Sequence, residues 1–447
     1  MSTKTARWMT VLIVAIAVLA TSYAAPAGAT YRLQPKNLVL DMAWSDMPTV
    51  QAFRRIVTLY NQTHPATRWT VVPNVPNDKL LAQIAAGRSP DLAMLWSAEF
   101  VGMDAANGVA ISLEPFIKAS HFNLRQFLPA VIEAGTLRNN HQLYALPFFE
   151  DTYMVYYNKT MWARAGLTRT PTTLEEMVAD ARKLTTYKKG KIADLGWDPG
   201  DLYGAQNWFG QGLFGCPFAN AAGTKIEVTA PRCIEALRYL SKAYKQVGGL
   251  NAINQFNSTF SKAFGSPLDP FTDGHKGMFL AGEYESAYIQ RYNPKLRFGV
   301  FPIPPPASHL EMKDYGTVGG NPMIMPRGSR DPQAAWQFLA WLETTGMWQA
   351  VRHEYIGDEE AMPTLTSILD KPSLAPTPQM AEFWTWFRTS KNIRPWPCIL
   401  IAHEYADMLT TEISAMLAGQ VTPEQAMHIV QDRMSKSLQQ ALAGWHS

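Results

Sequence analysis

A ligand rich in hydroxyls and weakly apolar ring faces is gripped by aromatic platforms set beside planar acceptors and donors. Residues of those types stand together in this chain where strand patterns end. Trp44 closes the apolar run from Asn37, and Ser45 and Asp46 follow it. Trp96 closes the run from Asp91, with Glu99 just beyond. In open α/β sheets ligands bind outside the carboxyl ends of the strands, so both rings are expected to face a cleft and the neighbouring polar groups to bond hydroxyls. The blander roles are core packing for the rings and helix capping for Asp46. Catalysis has thinner support. His403-Glu404 runs on to Asp407, H-E-x-x-D, without the second His a zinc protease needs on the same helical face. G-x-S-x-G, P-loop and dinucleotide motifs are absent from the sequence. Glu359-Glu360 reads as a solvated turn, because glycoside hydrolysis needs two carboxyls held across the bond and sequence neighbours point apart. No catalytic residue, metal site or cofactor is expected; Cys216, Cys233 and Cys398 match no zinc spacing.

The elements that must position these groups follow a β-α alternation. Asn37 to Trp44 reads as a strand and Pro48 to Asn61 as a helix with Val50, Phe53, Ile56, Val57 and Tyr60 on one face. Trp69 to Pro73 is strand-like, Asn77 is placed to cap a short helix, and Asp91 to Trp96 has the near-continuous apolar character of a buried parallel strand. A helix over Ser97 to Gly108 follows. This order argues for a parallel sheet with helices on both faces. Further on, Leu143 to Asn158 looks like strands with a crossing segment, Thr173 with Glu176 suggests a capping box, and Pro231 opens a helix ended by Gly248-Gly249. Phe298 to Pro306 is a strand running into prolines, Asp331-Pro332 starts a helix, and Thr422 with Gln425 starts the last long one.

With 447 residues the chain is too long for one ordinary core, and 47% apolar against 17% charged residues is a folded globular profile. A net charge of +3, scattered, excludes nucleic acid as the main partner. Lys4 and Arg7 precede the apolar stretch Trp8 to Ala25, and Ala27-Gly28-Ala29 offers a cleavage site, so residues 1–29 read as a secretory signal. An uncut anchor is the alternative. Either way the protein is expected outside the cytoplasm, periplasmic or at the cell surface. That setting permits a disulfide between Cys216 and Cys233, with three unpaired thiols the competing reading.

An ordered set of motifs then carries a resemblance over essentially the whole mature chain. His64-Pro65 ends the first helix; Ala86-Gly87 and Pro90-Asp91 give A-G-x-x-P-D; Tyr144 to Pro147 and Tyr156 to Lys159 give Y-A-L-P and Y-Y-N-K. Pro171-Thr172-Thr173, Phe271 to Met278, Phe301-Pro302, Gly319-Gly320, Ala334-Ala335-Trp336 and Thr422 to Ala426 continue the order, with Leu174 where relatives usually carry Trp. The chain thus resembles the extracellular solute-binding proteins of carbohydrate-type ABC transporters, the maltose-binding-protein-like family. The resemblance implies an α/β, two-lobed periplasmic-binding-protein-like fold of type II, with lobes joined by hinge crossings and a ligand cleft between. The N-terminal lobe would be 37–148 plus 306–342 and the C-terminal lobe 149–305 plus 343–447, with crossings near Phe148–Asp151, Pro302–Pro306 and Trp341–Glu343. It also implies further ligand contacts. These are Asp151 with Glu150 as competitor, Asn207 and Trp208 in a Gly-rich stretch, Glu283 and Tyr284 where relatives carry a Trp, Gly320 and Asn321 in a close-approach loop, and Trp396 and Tyr405 near the end.

The expected function is therefore a non-enzymatic receptor, the substrate-binding subunit of an ABC importer. It would bind a sugar or oligosaccharide, deliver it to permease subunits and act as a monomer. A phosphorylated polyol such as glycerol 3-phosphate is the second ligand, disfavoured because the cleft set is poor in Arg. A secreted carbohydrate-active enzyme is the alternative of another class.

Overall fold

The computed structural model describes residues 34–45, 47–203, 209–260, 266–353 and 362–445. The expected leader at 1–29, and Asp46, Asn207, Trp208, Glu359 and Glu360, lie outside the described residues.

The first sheet grows from alternating patterns. In Lys36–Met42 the side chains of Leu38, Leu40 and Met42 enter one apolar core, as a period of two dictates. This strand pairs in parallel with Thr67–Val72 on one side and Leu92–Met94 on the other. Pro322–Ile324 then lies antiparallel between Leu92–Met94 and Ala145–Pro147. The expected all-parallel sheet is therefore mixed. The reason is chain path: Pro322–Ile324 arrives from the second sheet, not over a covering helix. That second sheet is antiparallel, with Tyr153–Asn158 between Met278–Gly282 and Phe298–Phe301.

The chain passes from the first sheet to the second between Pro147 and Tyr153, and back between Phe301 and Pro322. Short strands brace these passages. Phe149–Glu150 pairs with Met362–Pro363, and Tyr315–Val318 runs parallel to Asn392–Pro395.

Helices start and stop largely where sequence chemistry directs. Met47–Thr63 buries Val50, Phe53, Ile56, Val57 and Tyr60. Asp331 caps Pro332–Trp341, and a full Thr422–Gln425 capping box opens Pro423–Gly444. Two expected caps differ. Asn77 is the first helical residue rather than the cap, and its amide reaches Asp104 Oδ1 at 3.4 Å. Thr173 caps Leu174–Leu184, but the Glu176 carboxylate closes on Thr172 N and Arg169 instead of completing a box.

Asp91, in the sequence signature Pro90-Asp91, is fully buried and accepts from Val39 N (2.8 Å) and Arg330 N (2.9 Å). Arg330 also reaches it with its guanidinium. One carboxylate thus ties the opening strand to a segment far along the chain. Cys216 and Cys233 form a disulfide, while Cys398 is a buried free thiol pushed up to about 12 by burial. Among the described residues no helix is long and apolar enough to cross a membrane.

Candidate functional site

Where the chain leaves the first sheet, the strand ends and the crossing gather rings and carboxyls around one cavity. Trp44 lies just past the end of Lys36–Met42. Thr49 and Phe53, one turn apart on the first helix, come next, followed by Phe149 and Asp151 from the crossing. Glu283, Tyr284 and Tyr288 enter from beyond Met278–Gly282, and Asn321 from the returning segment. The enclosed space is about 30 Å³, room for about one water, so a larger occupant requires the walls to part. Five residues expected from the sequence are brought together here: Trp44, Asp151, Glu283, Tyr284 and Asn321.

Trp96 stands at the rim. Its ring packs on Trp44 with centroids 4.5 Å apart, it is 41% exposed, and its backbone carbonyl accepts from Asn321 Nδ2 at 3.0 Å. Large exposed tryptophans are uncommon on a closed surface and suit stacking on an apolar ligand face.

The polar wall is made of buried acids. Glu283 is fully buried and accepts from Thr152 N at 3.1 Å. Asp151 lines the same cavity and perturbs its ionisation. Burial, then the Asp151 charge, pushes Glu283 well up, so Glu283 holds the proton. Burial pushes Asp151 to about 6, and the neighbouring Glu283 carboxyl opposes that rise. At neutral pH the pair therefore presents one anion and one proton donor.

Glu150 is a structural neighbour of this wall. Its Oε2 accepts from Gly319 N and Gly320 N, both at 3.0 Å, which staples the outgoing crossing to the returning one. Its Oε1 is buried without a hydrogen-bond partner among the described residues. Burial pushes it to about 8 against those two backbone bonds. Glu343, in a π-helical turn over Leu342–Gly346, has both carboxyl oxygens buried without partners among the described residues. Burial, then the Glu150 charge, drives it well up. Gly320 is required here, since a Cβ would stand 2.6 Å from Phe149 O and 2.8 Å from Asp151 N.

Other expected site residues lie elsewhere. Glu99 pairs with His403 at 3.2 Å, on the helix that packs against its own. Trp396 is buried, with its ring against Gly319 on the far side of the crossing strand, and Tyr405 is fully buried within the helix pair 402–417 and 423–444. Sequence reading missed Thr49, Phe53, Phe149 and Tyr288. The only available signal was spacing: Tyr288 is one helical turn past Tyr284, and Phe53 one turn past Thr49.

Residues 44–347 match the family described as bacterial extracellular solute-binding protein. A putative binding protein of Brucella abortus (strain 2308) is 25% identical over 354 residues, covering 75% of this chain and 77% of the relative. The maltotriose-binding protein of Pyrococcus abyssi is 23% identical over 322 residues, 70% of this chain and 62% of that one. Among solved structures, CpMnBP1 with mannotriose bound superposes with a TM-score of 0.75 at 24% identity, covering 89% of this chain and 99% of the other. At that identity the likeness speaks for the fold.

Proposed function

Since the chain belongs to the bacterial extracellular solute-binding protein family, we propose that it is the binding subunit of an ABC importer. It encloses a sugar or oligosaccharide between two lobes, 37–148 plus 306–342 and 149–305 plus 343–447, and hands it to membrane permease subunits from outside the cytoplasm as a monomer. The observation that carries this reading is the cavity at the crossing, where five rings (Trp44, Phe53, Phe149, Tyr284, Tyr288) share the lining with a carboxyl pair and an amide. Rings supply flat apolar contact; the Asp151 anion and the Glu283 proton give an acceptor and a donor for hydroxyls. Closure follows from differential contact: a ligand touching both lobes binds the closed state better and shifts the population toward it.

Relatives named for maltotriose and mannotriose support the ligand class.

The test is calorimetric titration of the mature chain with neutral mono-, di- and trisaccharides. A sugar that binds, and binds at least about tenfold more weakly to Trp44→Ala, a loss of about 1.4 kcal/mol, supports the reading. Turnover of a glycoside, or no binding across neutral sugars, overturns it.

A further inference from the structure

A second cavity, of about 390 Å³, shares no lining residue with the aromatic one. Its charge is of the opposite kind. Arg138, Arg232 and Arg394 line it with Glu133, and Tyr315 and Thr317 add hydroxyls. Three guanidinium groups thus face one lining carboxylate. That carboxylate, on Glu133, is 3.7 Å from Arg138, beyond hydrogen-bond length. The Arg138 side chain is only 21% exposed and, among the described residues, otherwise reaches a single carbonyl, Asn220 O at 3.5 Å. Arg232 pairs with the exposed Glu311 at 2.8 Å and reaches Phe214 O at 3.5 Å, and Arg394 bonds the amide oxygen of Asn392 at 3.3 Å. Each guanidinium carries five donors in a planar fork, so among the described residues most of this donor set has no protein acceptor. The positive field is felt within the wall: Arg138 pulls against the burial that raises the Cys398 thiol, and Arg394 does the same for the Tyr315 phenol.

We propose that this cavity is a binding site for a small oxyanion, a phosphate or carboxylate group, separate from the sugar-binding cleft. The chain builds it deliberately from distant parts. Arg138 follows Thr136–Leu137; Arg232 is in the first turn of the helix Pro231–Gln246, next to the disulfide-bonded Cys233; Arg394 sits on the strand paired with the returning crossing. An anion held by all three links the elements on either side of the crossing. By linkage it changes the affinity of the main cleft by the same factor that a cleft ligand changes its own.

The experiment uses the mature full chain and follows melting temperature and calorimetric binding. The probes are inorganic phosphate, sulfate and citrate, against chloride at matched ionic strength. Saturable binding of phosphate or citrate is expected, and which of the two binds more tightly assigns a phosphate or a carboxylate ligand. Arg394→Gln, an exposed side chain whose loss leaves the core untouched, weakens binding by about tenfold, the scale of one charge-assisted hydrogen bond. Arg138→Gln does the same, whereas Trp44→Ala leaves anion binding unchanged. Failure of all three anions to outdo chloride overturns the proposal. So does binding that survives Arg394→Gln, or binding abolished by Trp44→Ala.

Discussion

Glu150 joins the two crossings through a carboxyl that is fully buried, and its ionisation is expected to act against the fold. Its ordinary value near 4.5 is displaced to about 8, chiefly by burial. A displacement of that size corresponds to about 5 kcal/mol between the two protonation states. The sign follows from proton counting. Below pH 4.5 the group is protonated in both folded and unfolded chains and contributes nothing to pH dependence. Between 4.5 and about 8 the unfolded chain releases the proton while the folded one keeps it, so stability falls as pH rises, by about 3 kcal/mol at pH 7. Glu150→Gln preserves the shape, keeps an oxygen for Gly319 N and Gly320 N, and removes the titration. The variant should match the parent at pH 4 within about 1 kcal/mol and exceed it at pH 7 by about 3 kcal/mol, roughly 3 °C in melting temperature for a chain of this size. Thermal unfolding of both proteins from pH 4 to pH 8.5 measures it. Parallel pH curves, or a variant less stable than the parent at pH 8, would refute the assignment of Glu150 as a neutral staple.

Three further outcomes follow from the same geometry. Because burial sets Asp151 near 6 and its anion is the proposed acceptor for the ligand, sugar affinity should rise through pH 6 and level off by pH 7.5, falling up to about tenfold for each pH unit below it; calorimetry between pH 5 and 8 checks this, and a flat profile removes Asp151 from the contact set. Gly320→Ala forces a Cβ against backbone at 2.6 Å and should cost about 2 kcal/mol or more while weakening ligand binding, because the crossing must shift; denaturant titration would expose a tolerated Ala. Replacing both Cys216 and Cys233 with Ser opens a loop of sequence separation 17, expected to lower stability by about 3 kcal/mol and equally visible on adding reductant to the parent.

The sequence carried the periodic elements well because local pattern decides them: the apolar face of Met47–Thr63 and the alternation in Lys36–Met42 are each set by neighbours within one or two turns. It carried the two rings at the cavity for the same reason, since Trp44 and Trp96 follow strand ends and pack on each other. What it hid depends on long-range packing. Glu343 was placed only by the expected crossing at Trp341–Glu343, and nothing local foretells its burial beside Glu150. Trp396 could face either side of its strand and lies against Gly319. The arginine cavity was invisible because its three cations come from positions 138, 232 and 394, and no spacing rule joins them. Pro322–Ile324 is too short to announce that it would split the first sheet.

That inserted strand also sets an order in time. Ile324 pairs with Ala93 and with Ala145, so 231 positions, from 93 to 324, separate it from its earlier neighbour. At ~5–20 residues per second, about 10–50 s of synthesis pass before the middle of the first sheet exists. Until then Leu92–Met94 and Ala145–Pro147 have no strand between them, and loop-closure entropy opposes their holding position alone. Nascent chains of this topology should therefore remain protease-sensitive coils until Pro322–Ile324 emerges. Such a delay leaves the chain an unfolded thread for longer than a sheet of sequence-adjacent strands would.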